Sequence, residues 1–394
     1  MTQRSSIPLV TLNDKQYSVQ VEAEDDHYLS FSLDIERAQD SGPPTFCKDL
    51  LCSDTEIIVL DSIKSGIGRT LQSDFCANII EPIFKELQVP TRIYRTKSSD
   101  SVGQFASTFK TTASTAIFIF LSGDTTISEF LNCLDQTPTT ANNSQKSPAL
   151  WFLPLPFGTA NAWATSLGIK SPVAAFGQLL QNELSPQSFP LYKASFPNAN
   201  EVVFFIIFSI GFHANLLHLC KEERFHNIGV EKFRIAAQEI LQTYQLDYPL
   251  HIPSESSPLH FAYFTLINTP FLEKTYMPSP SSDPLKSQLH LLGYLTSFDK
   301  TDLVEKIMRG YRNKAQDDIS RDGVIYRPLE DDFDIFFGQT PDTAPSTGFE
   351  ICCDGHLLNM PDLQPEGKEF DGKVNIKFLK QYSAFDLKVL VPKI

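Results

Sequence analysis

Apolar residues follow two different patterns in this chain, and the pattern changes near its midpoint. In the first half, short unbroken apolar runs alternate with segments of helical spacing. Ile57–Leu60, Ile117–Leu121 and Leu150–Leu155 are such runs and read as strands buried on both faces, with Thr91–Tyr94 a shorter fourth. The helical segments carry Leu71, Phe75, Ile79, Ile83 and Leu87, then Val102, Phe105, Ala106 and Phe109, then Ile127, Phe130, Leu131 and Leu134, then Ala160, Ala164 and Leu167. Pro82 kinks the first of these helices or restarts it, and Gly168 ends the last. Repeated strand–turn–helix units predict a parallel sheet with its turns along one edge. Beyond residue 200, strand patterns dominate: Val202–Ile210, Phe261–Ile267, Leu289–Leu295, Phe333–Phe337, Phe349–Cys353, Val374–Phe378 and Phe385–Val391. Only two helices are expected there, Val230–Tyr244 and Thr301–Tyr311. The expected organisation is an N-terminal extension (1–45), an α/β domain (46–190) and a β-rich domain (191–394). The extension holds one small hairpin, Tyr17–Val21 with Tyr28–Leu33, and ends at the breaker SGPP of residues 41–44. The polar stretch Thr137–Pro148 reads as a surface loop.

Composition narrows the function classes. A chain of 394 residues suits two domains, and 42% hydrophobic against 20% charged residues allows a sizeable core. The formal net charge of -14 argues against nucleic acid as a partner and against purely electrostatic adhesion to anionic lipid. Seven scattered cysteines with no zinc-site spacing read as reduced thiols. The first residues, MTQRSSIPLVTLNDKQ, lack the apolar core of a signal peptide. The longest apolar run, Val202–Phe208, is too short for a transmembrane segment. A cytoplasmic protein is expected, reaching any membrane from the water side.

Three turns carry the candidate chemistry. DSIKSGIGR (61–69), SGDTT (122–126) and PFGTANA (156–162) each follow a strand and precede a helix. Ligands of open parallel sheets bind at that edge. Small residues such as Ser65, Gly66, Gly68, Ser122 and Gly123 let backbone amides approach a phosphate, and a helix start adds partial positive charge. Lys64 and Arg69 are candidates to pair with that phosphate, and Asp124 to bind Mg²⁺ or accept a proton. A second reading stands beside each: Asp124 or a threonine as a helix cap, glycines serving conformation only, Glu129 complementing its helix dipole, and Asn161 bonding its own backbone rather than a nucleotide. The 31 phenylalanines read mainly as ordinary core, with an acyl-lined tunnel as the alternative.

Specific matches sharpen this. SGDTTISEFLN (122–132) resembles the GGDGTxxEVxNG motif of the diacylglycerol kinase catalytic family, and PFGTANAWATSLGI (156–169) resembles its PxGTxNDxAxxLG segment. SIKSGIGRT (62–70) more loosely resembles the NPxSGxGxG turn. SIGFHAN (209–215) resembles SxGFxAD, and ERFHNIG (223–229) with Lys232 and Phe233 resembles a stretch of sphingosine and ceramide kinases. The similarity spans roughly residues 55 to 355. It implies a Rossmann-like nucleotide domain of the NAD kinase/diacylglycerol kinase type, followed by a β-sandwich lipid-binding domain, with the active site between them. The implied activity is ATP-dependent phosphorylation of a hydroxyl on a sphingoid-base, ceramide or diacylglycerol lipid at a membrane surface.

By the same resemblance, Asp124 is the general base, hydroxyl-orienting group or Mg²⁺ ligand, and Glu129 supports it. Ser65, Gly66, Gly68, Thr96, Ser122, Gly123, Thr125, Thr126, Gly158, Thr159, Asn161, Lys232 and Asp354 make up the ATP site. Asp354 is preferred over Asp371 because it ends a strand. Ser209 and Asn215 fall in the substrate segment. A basic or aromatic patch on the second domain is the expected docking surface. Several positions depart from the family pattern: Thr125 and Ser122 for glycines, Asp61 for asparagine, His226 for arginine, His356 for glutamate, and Asn215 for a carboxylate. Asp61 then needs a counter-charge from metal or Lys64, and Glu222 or Glu223 are candidates to replace the carboxylate absent at 215. Three readings remain open: an active lipid kinase, a catalytically impaired lipid- or nucleotide-binding module, and a kinase for a soluble substrate.

Overall fold

The computed structural model describes residues 2–24, 27–38, 42–47, 49, 54–66, 68–134, 147–226, 228–229, 231–243, 245–253, 255–297, 299–382 and 385–393. It divides into two units, Met1–Ser188 with Ser383–Ile394, and Phe189–Tyr382. Most of the expected loop Thr137–Pro148 lies outside the described residues, as do Ser41 of the breaker, Cys52, and the expected helix ends Val230 and Tyr244. The six cysteines that are described are free thiols.

The first unit opens with an antiparallel meander, β1 (Thr2–Leu12), β2 (Lys15–Glu24) and β3 (His27–Arg37). The expected hairpin is β2–β3, with Tyr17 opposite Ile35 and Val21 opposite Phe31. The sequence reading missed β1, because Arg4, Ser5 and Ser6 break its apolar alternation; its outer half is exposed. The buried half reaches the end of the helix Pro172–Leu180, where the Gln181 side-chain amide donates to the Leu9 carbonyl.

The main sheet contains β4 (Thr55–Asp61), β5 (Thr91–Arg95), β6 (Thr115–Ser122), β7 (Ala149–Pro156) and β8 (Leu184–Gln187). Its order is β5-β4-β6-β7, then the C-terminal strand Asp386–Pro392, then β8. The four leading strands are parallel. Central β6 has every residue from Ala116 to Leu121 fully buried, as a continuous apolar run demands. The C-terminal strand was expected in the β-rich domain. It instead pairs parallel to residues 149–152 of β7 and antiparallel to β8. Its alternation says strand but carries no information on which sheet it joins. The divergence also explains Pro154 and Pro156, which lie where β7 keeps only β6 as a neighbour, so no ladder bond is lost on the other side.

Helices α1 (Glu81–Glu86), α2 (Ser101–Thr108), α3 (Asp124–Cys133), α4 (Ala162–Ser166) and α5 (Pro172–Leu180) connect or flank these strands. A π-helical turn, Cys76–Ile80, runs into α1 without a break, and Pro82 follows shortly after it; the widened turn lies where the proline removes a helical N–H. The meander is tied to this layer by aromatic packing. Phe31 lies 5.0 Å from both Tyr28 and Phe75 and 6.1 Å from Phe157, and its amide donates to the Gln72 carbonyl.

The second unit is antiparallel. Its strands are β9 (Leu191–Ser195), β10 (Glu201–Phe204), β11 (Ile207–Gly211), β12 (Tyr248–His251), β13 (Leu259–Ile267), β14 (Leu289–Leu295), β15 (Ile325–Leu329), β16 (Phe333–Phe337), β17 (Glu350–Cys353), β18 (His356–Asn359) and β19 (Lys373–Leu379); the C-terminal strand of the first unit is β20. The order is β10-β9-β19-β16-β12-β13-β11-β17-β18, with β14 and β15 continuing from the other edge of β13. One edge of β13 therefore serves β12 with its first residues and β11 with its last. Helices α6 (Phe212–Leu219), α7 (Glu231–Thr243) and α8 (Lys300–Met308) complete the unit. The apolar run expected as one strand, Val202–Ile210, is split into β10 and β11. The Asp354 carboxylate accepts from the Phe205, Ile206 and Ile207 amides at 2.7, 3.1 and 2.7 Å and turns the chain there.

Phe31→Ala should lower the unfolding free energy by about 3–5 kcal/mol, because it removes a buried ring from the aromatic contact holding the meander. Urea denaturation of the full chain measures this.

Candidate functional site

The parallel register places the last residues of four strands side by side: Asp61 opposite Arg95 and Leu121, and Ser122 opposite Pro156. The three turns read from the sequence leave from this edge and touch one another. A Cβ on Gly158 would stand 2.3 Å from the Gly123 Cα, and one on Gly66 would stand 2.9 Å from the Phe157 carbonyl oxygen. Any side chain at 158 would push the second and third turns apart. Gly66 also has φ +66°, so a side chain there is strained as well as crowded.

Asn161 shapes the third turn. It takes the left-handed conformation, φ 54°, which asparagine tolerates better than most residues. Its Oδ1 accepts from the Gly158 amide at 2.7 Å and its Nδ2 donates to the Gly158 carbonyl at 2.8 Å. Of the two readings offered for Asn161, this geometry is the backbone-bonding one. Thr159 beside it is exposed.

Asp124 opens α3 and bridges the second turn to the third. Its Oδ2 accepts from the Ala162 amide at 2.7 Å and its Oδ1 from the Trp163 amide at 3.2 Å. The carboxylate thus serves the start of α4 rather than capping its own helix. The group is half-buried. Desolvation raises its pKa to about 6, opposed by the bonds from the Trp163 and Ala162 amides. Ser122 and Thr126 are buried beside it, while Thr125 is exposed. Thr125 lies in the first turn of α3 and is not among the positive-φ residues, so the position does not require glycine.

Glu129 faces another way. Its Oε1 accepts from the Gly103 amide of α2 at 3.0 Å, and burial raises its pKa. It joins α2 to α3. Thr96 is buried next to the first turn, its amide bonded to the Asp61 carbonyl at 3.0 Å. Asp61 itself is fully buried, and its counter-charges are Arg69 and Arg95 rather than Lys64, which is exposed.

The remaining candidates lie in the second unit. Asp354 follows β17 directly, as expected, with both oxygens on the amides of residues 205–207. Lys232, on α7, places its ammonium 5.2 Å from the centre of the Phe233 ring. Ser209 ends in a buried pair, its Oγ 2.8 Å from His213 Nδ1, and burial lowers the His213 pKa to about 4. Asn215 belongs to a polar cluster. Its Nδ2 donates to Glu350 Oε2 at 2.6 Å and to the Thr347 carbonyl at 2.8 Å, while the Tyr248 hydroxyl donates to its Oδ1 at 2.5 Å. The carboxylate beside position 215 is therefore Glu350, whereas Glu222 pairs with Arg224 and Glu223 is exposed. Burial raises Glu350 to about 7. Tyr248 and Thr347 also line an open cavity of about 300 Å³ with Gln245, Asp247 and Gln339.

Glu350, Tyr248, Phe157 and Arg95 escaped the sequence reading. Arg95 had a usable signal, because it ends the strand next to the one Asp61 ends. Glu350 had none, being 135 residues from its partner Asn215. Among the described residues, no group of three or more His, Cys, Asp or Glu is placed to hold a metal. No described helix is long and apolar enough to cross a membrane.

The chain thus combines a parallel α/β unit, with touching glycine turns at its carboxyl edge, and a separate antiparallel β unit. Residues 58–189, a segment containing all three turns, match the diacylglycerol kinase catalytic domain. Solved structures with the same fold include a diacylglycerol kinase from Bacillus anthracis str. Sterne, with TM-score 0.54, 14% identity, and 85% of this chain and 96% of that one covered. A provisionally assigned diacylglycerol kinase from the same organism gives TM-score 0.55 at 13% identity, with the same coverage. No curated protein sequence matches.

Two outcomes test the local chemistry. Asp354→Ala should cost about 3 kcal/mol or more in urea unfolding, since it leaves three amides without their charged acceptor. The raised pKa of Glu350 means the folded state holds that proton more tightly than the unfolded chain. Its contribution to stability is complete below the ordinary carboxylate range and is lost as pH rises to about 7. Melting temperature should therefore decline less between pH 5 and pH 8 in Glu350→Gln than in the wild type.

Proposed function

We propose that this chain is an ATP-dependent lipid kinase, acting on a hydroxyl of a sphingoid-base, ceramide or diacylglycerol type lipid. The observation that carries the reading is the contact of three glycine turns at the carboxyl edge of a parallel sheet, with Asp124 between the second and third. Ser65, Gly66, Gly68 and Gly123 to Thr126 border the ATP phosphates, helped by the start of α3; the Ser65, Gly68 and Thr126 amides donate to the Ser62, Ser65 and Gly123 carbonyls and so shape the turns. Thr96, Gly158 and Thr159 border the nucleotide. Asn161 acts indirectly, by holding the Gly158 backbone in place.

Phosphoryl transfer depends on positioning and charge neutralisation. The lipid oxygen attacks the γ-phosphorus, the bond from that phosphorus to the β–γ bridging oxygen breaks, and ADP leaves with the bonding electrons. The proton of the lipid hydroxyl passes to Asp124. A carboxyl with pKa about 6 is ionised at neutral pH yet basic enough to take part in that transfer. The Asp124 carboxylate, which accepts from the Ala162 and Trp163 amides, would be the protein's ligand to a Mg²⁺ bound with the nucleotide, and the ion would supply charge neutralisation at the phosphates. Glu129 supports the arrangement by fixing α3 against α2. Lys232 and Asp354 belong to the proposed ATP site on family resemblance. Ser209 and Asn215 border the substrate, and the protein works as a cytoplasmic enzyme peripheral at a membrane.

A specific observation favours a second reading. Both Asp124 oxygens are already engaged by the α4 amides, a purely structural duty that suits a lipid- or nucleotide-binding module with little catalysis. Radiolabelled ATP with vesicles of diacylglycerol, ceramide or sphingoid base separates the two. Transfer to one lipid, reduced roughly 100-fold or more in Asp124→Asn, is the kinase outcome. Activity should also fall as pH drops through about 6, when Asp124 takes up its proton. ATP binding without transfer to any lipid is the outcome expected of the binding module.

A further inference from the structure

Arg69 was a candidate phosphate ligand by sequence, yet its side chain is only 6% exposed and points inward. One Nη forms an ion pair with Asp61, which has 0% side-chain exposure and also lies 3.5 Å from Arg95 Nε. The other Nη donates to the Leu121 carbonyl at 2.5 Å and to the Ser62 carbonyl at 3.4 Å. The guanidinium face covers the Phe157 ring at 4.8 Å. One side chain of the first turn thus touches the strand end leading into the second turn and the residue before Gly158 in the third.

We propose that Arg69 is a positioning residue that holds the three glycine turns at contact distance, with the buried Asp61 charge keeping its guanidinium in place. The planar fork suits this task. It pairs with a carboxylate and donates to two carbonyls while its face packs on an aromatic ring, which an ammonium cannot do. The charges require each other. A buried guanidinium without Asp61, or a buried Asp61 without Arg69, leaves an ion poorly compensated away from water. Burial lowers the Arg69 pKa to about 10, so it remains a cation at neutral pH. Because that cation is already matched by Asp61, binding a phosphate would require breaking the pair. The acidic residue at position 61 is thus a partner of the lock rather than a repulsive charge facing the nucleotide. The proposal rests on the kinase reading only for the role of the turns in holding nucleotide; the lock itself is a property of the unliganded chain.

The test uses the full chain and the variants Arg69→Met, Asp61→Asn, their double variant and Arg69→Lys. Three readouts are followed: melting temperature, amide hydrogen exchange in residues 157–161, and Mg·ATP affinity by titration. Each of the two neutralising single changes should lower the melting temperature, and the double variant should recover most of that loss because no unpaired charge stays buried. Even so, the double variant should exchange at 157–161 at least about tenfold faster and bind Mg·ATP at least about tenfold more weakly, because the fork and its ring contact are gone. A double variant with wild-type exchange and wild-type affinity overturns the proposal. If the double variant fails to fold, Arg69→Lys decides: it keeps the charge, so faster exchange at 157–161 with little change in melting temperature supports the lock, and unchanged exchange overturns it. A wild-type chain that does not bind Mg·ATP, while the exchange results hold, would count against the kinase reading and leave the lock standing.

Discussion

The contact between the Gly123 and Gly158 backbones is the constraint on which the candidate site depends. Two strand-to-helix turns can approach this closely only where neither carries a side chain. Other features of the first unit serve the same contact. The parallel register brings Ser122 opposite Pro156, so both turns start at the same level. Asn161 closes the third turn on Gly158, Asp124 ties the second turn to the amides of α4, and Arg69 spans the first turn, Leu121 and Phe157. These bonds are short-range and directional. They fix positions that hydrophobic packing of β6 and β7 alone would leave free to slide.

Charge burial is handled by matching rather than exposure. Asp61 is answered by Arg69 and Arg95, and Asp354 by three consecutive amides. Asp124 and Glu350 are matched less completely: Asp124 accepts from the neutral Ala162 and Trp163 amides and Glu350 from the neutral Asn215 amide, with His218 3.7 Å from the Glu350 carboxylate. Burial lowers the pKa of that histidine, so it supplies little positive charge near neutral pH. With no strong counter-charge to offset it, burial raises the Asp124 carboxyl to about 6 and that of Glu350 to about 7.

The meander Thr2–Arg37 shows how a segment without chemistry of its own can still shape a site. Phe31 packs on Phe157 edge-to-face and Tyr28 at a tilt, and the Arg69 guanidinium lies over the same ring. Residues far apart in sequence thereby form a continuous aromatic cluster around Phe157. The same packing joins Phe75 and Phe176 of the helical layer.

Much of this protein was legible in the sequence because the signals are local. Buried runs such as Ile117–Leu121 declare a central strand, Pro82 marks an irregular point in its helix, and the glycine turns with Asp124 fall together at a sheet edge. The hairpin β2–β3 follows from two-residue alternation, and the four parallel strands from short, largely apolar runs, patterns that any short window contains; most second-unit strands are legible in the same local way. The tertiary structure alone decided the pairings. Alternation in residues 386–392 identifies a strand but cannot say that it joins β7 rather than the second unit. The break between β10 and β11 depends on a carboxylate nearly 150 residues away, inside a run whose composition reads as one strand. Likewise the partner of Asp61 was expected in metal or Lys64, and the carboxylate near Asn215 in Glu222 or Glu223. Arg69 and Glu350 fill those places because buried charges and amides take whichever partner the completed fold brings within hydrogen-bonding reach, a property of three-dimensional proximity that no local pattern encodes.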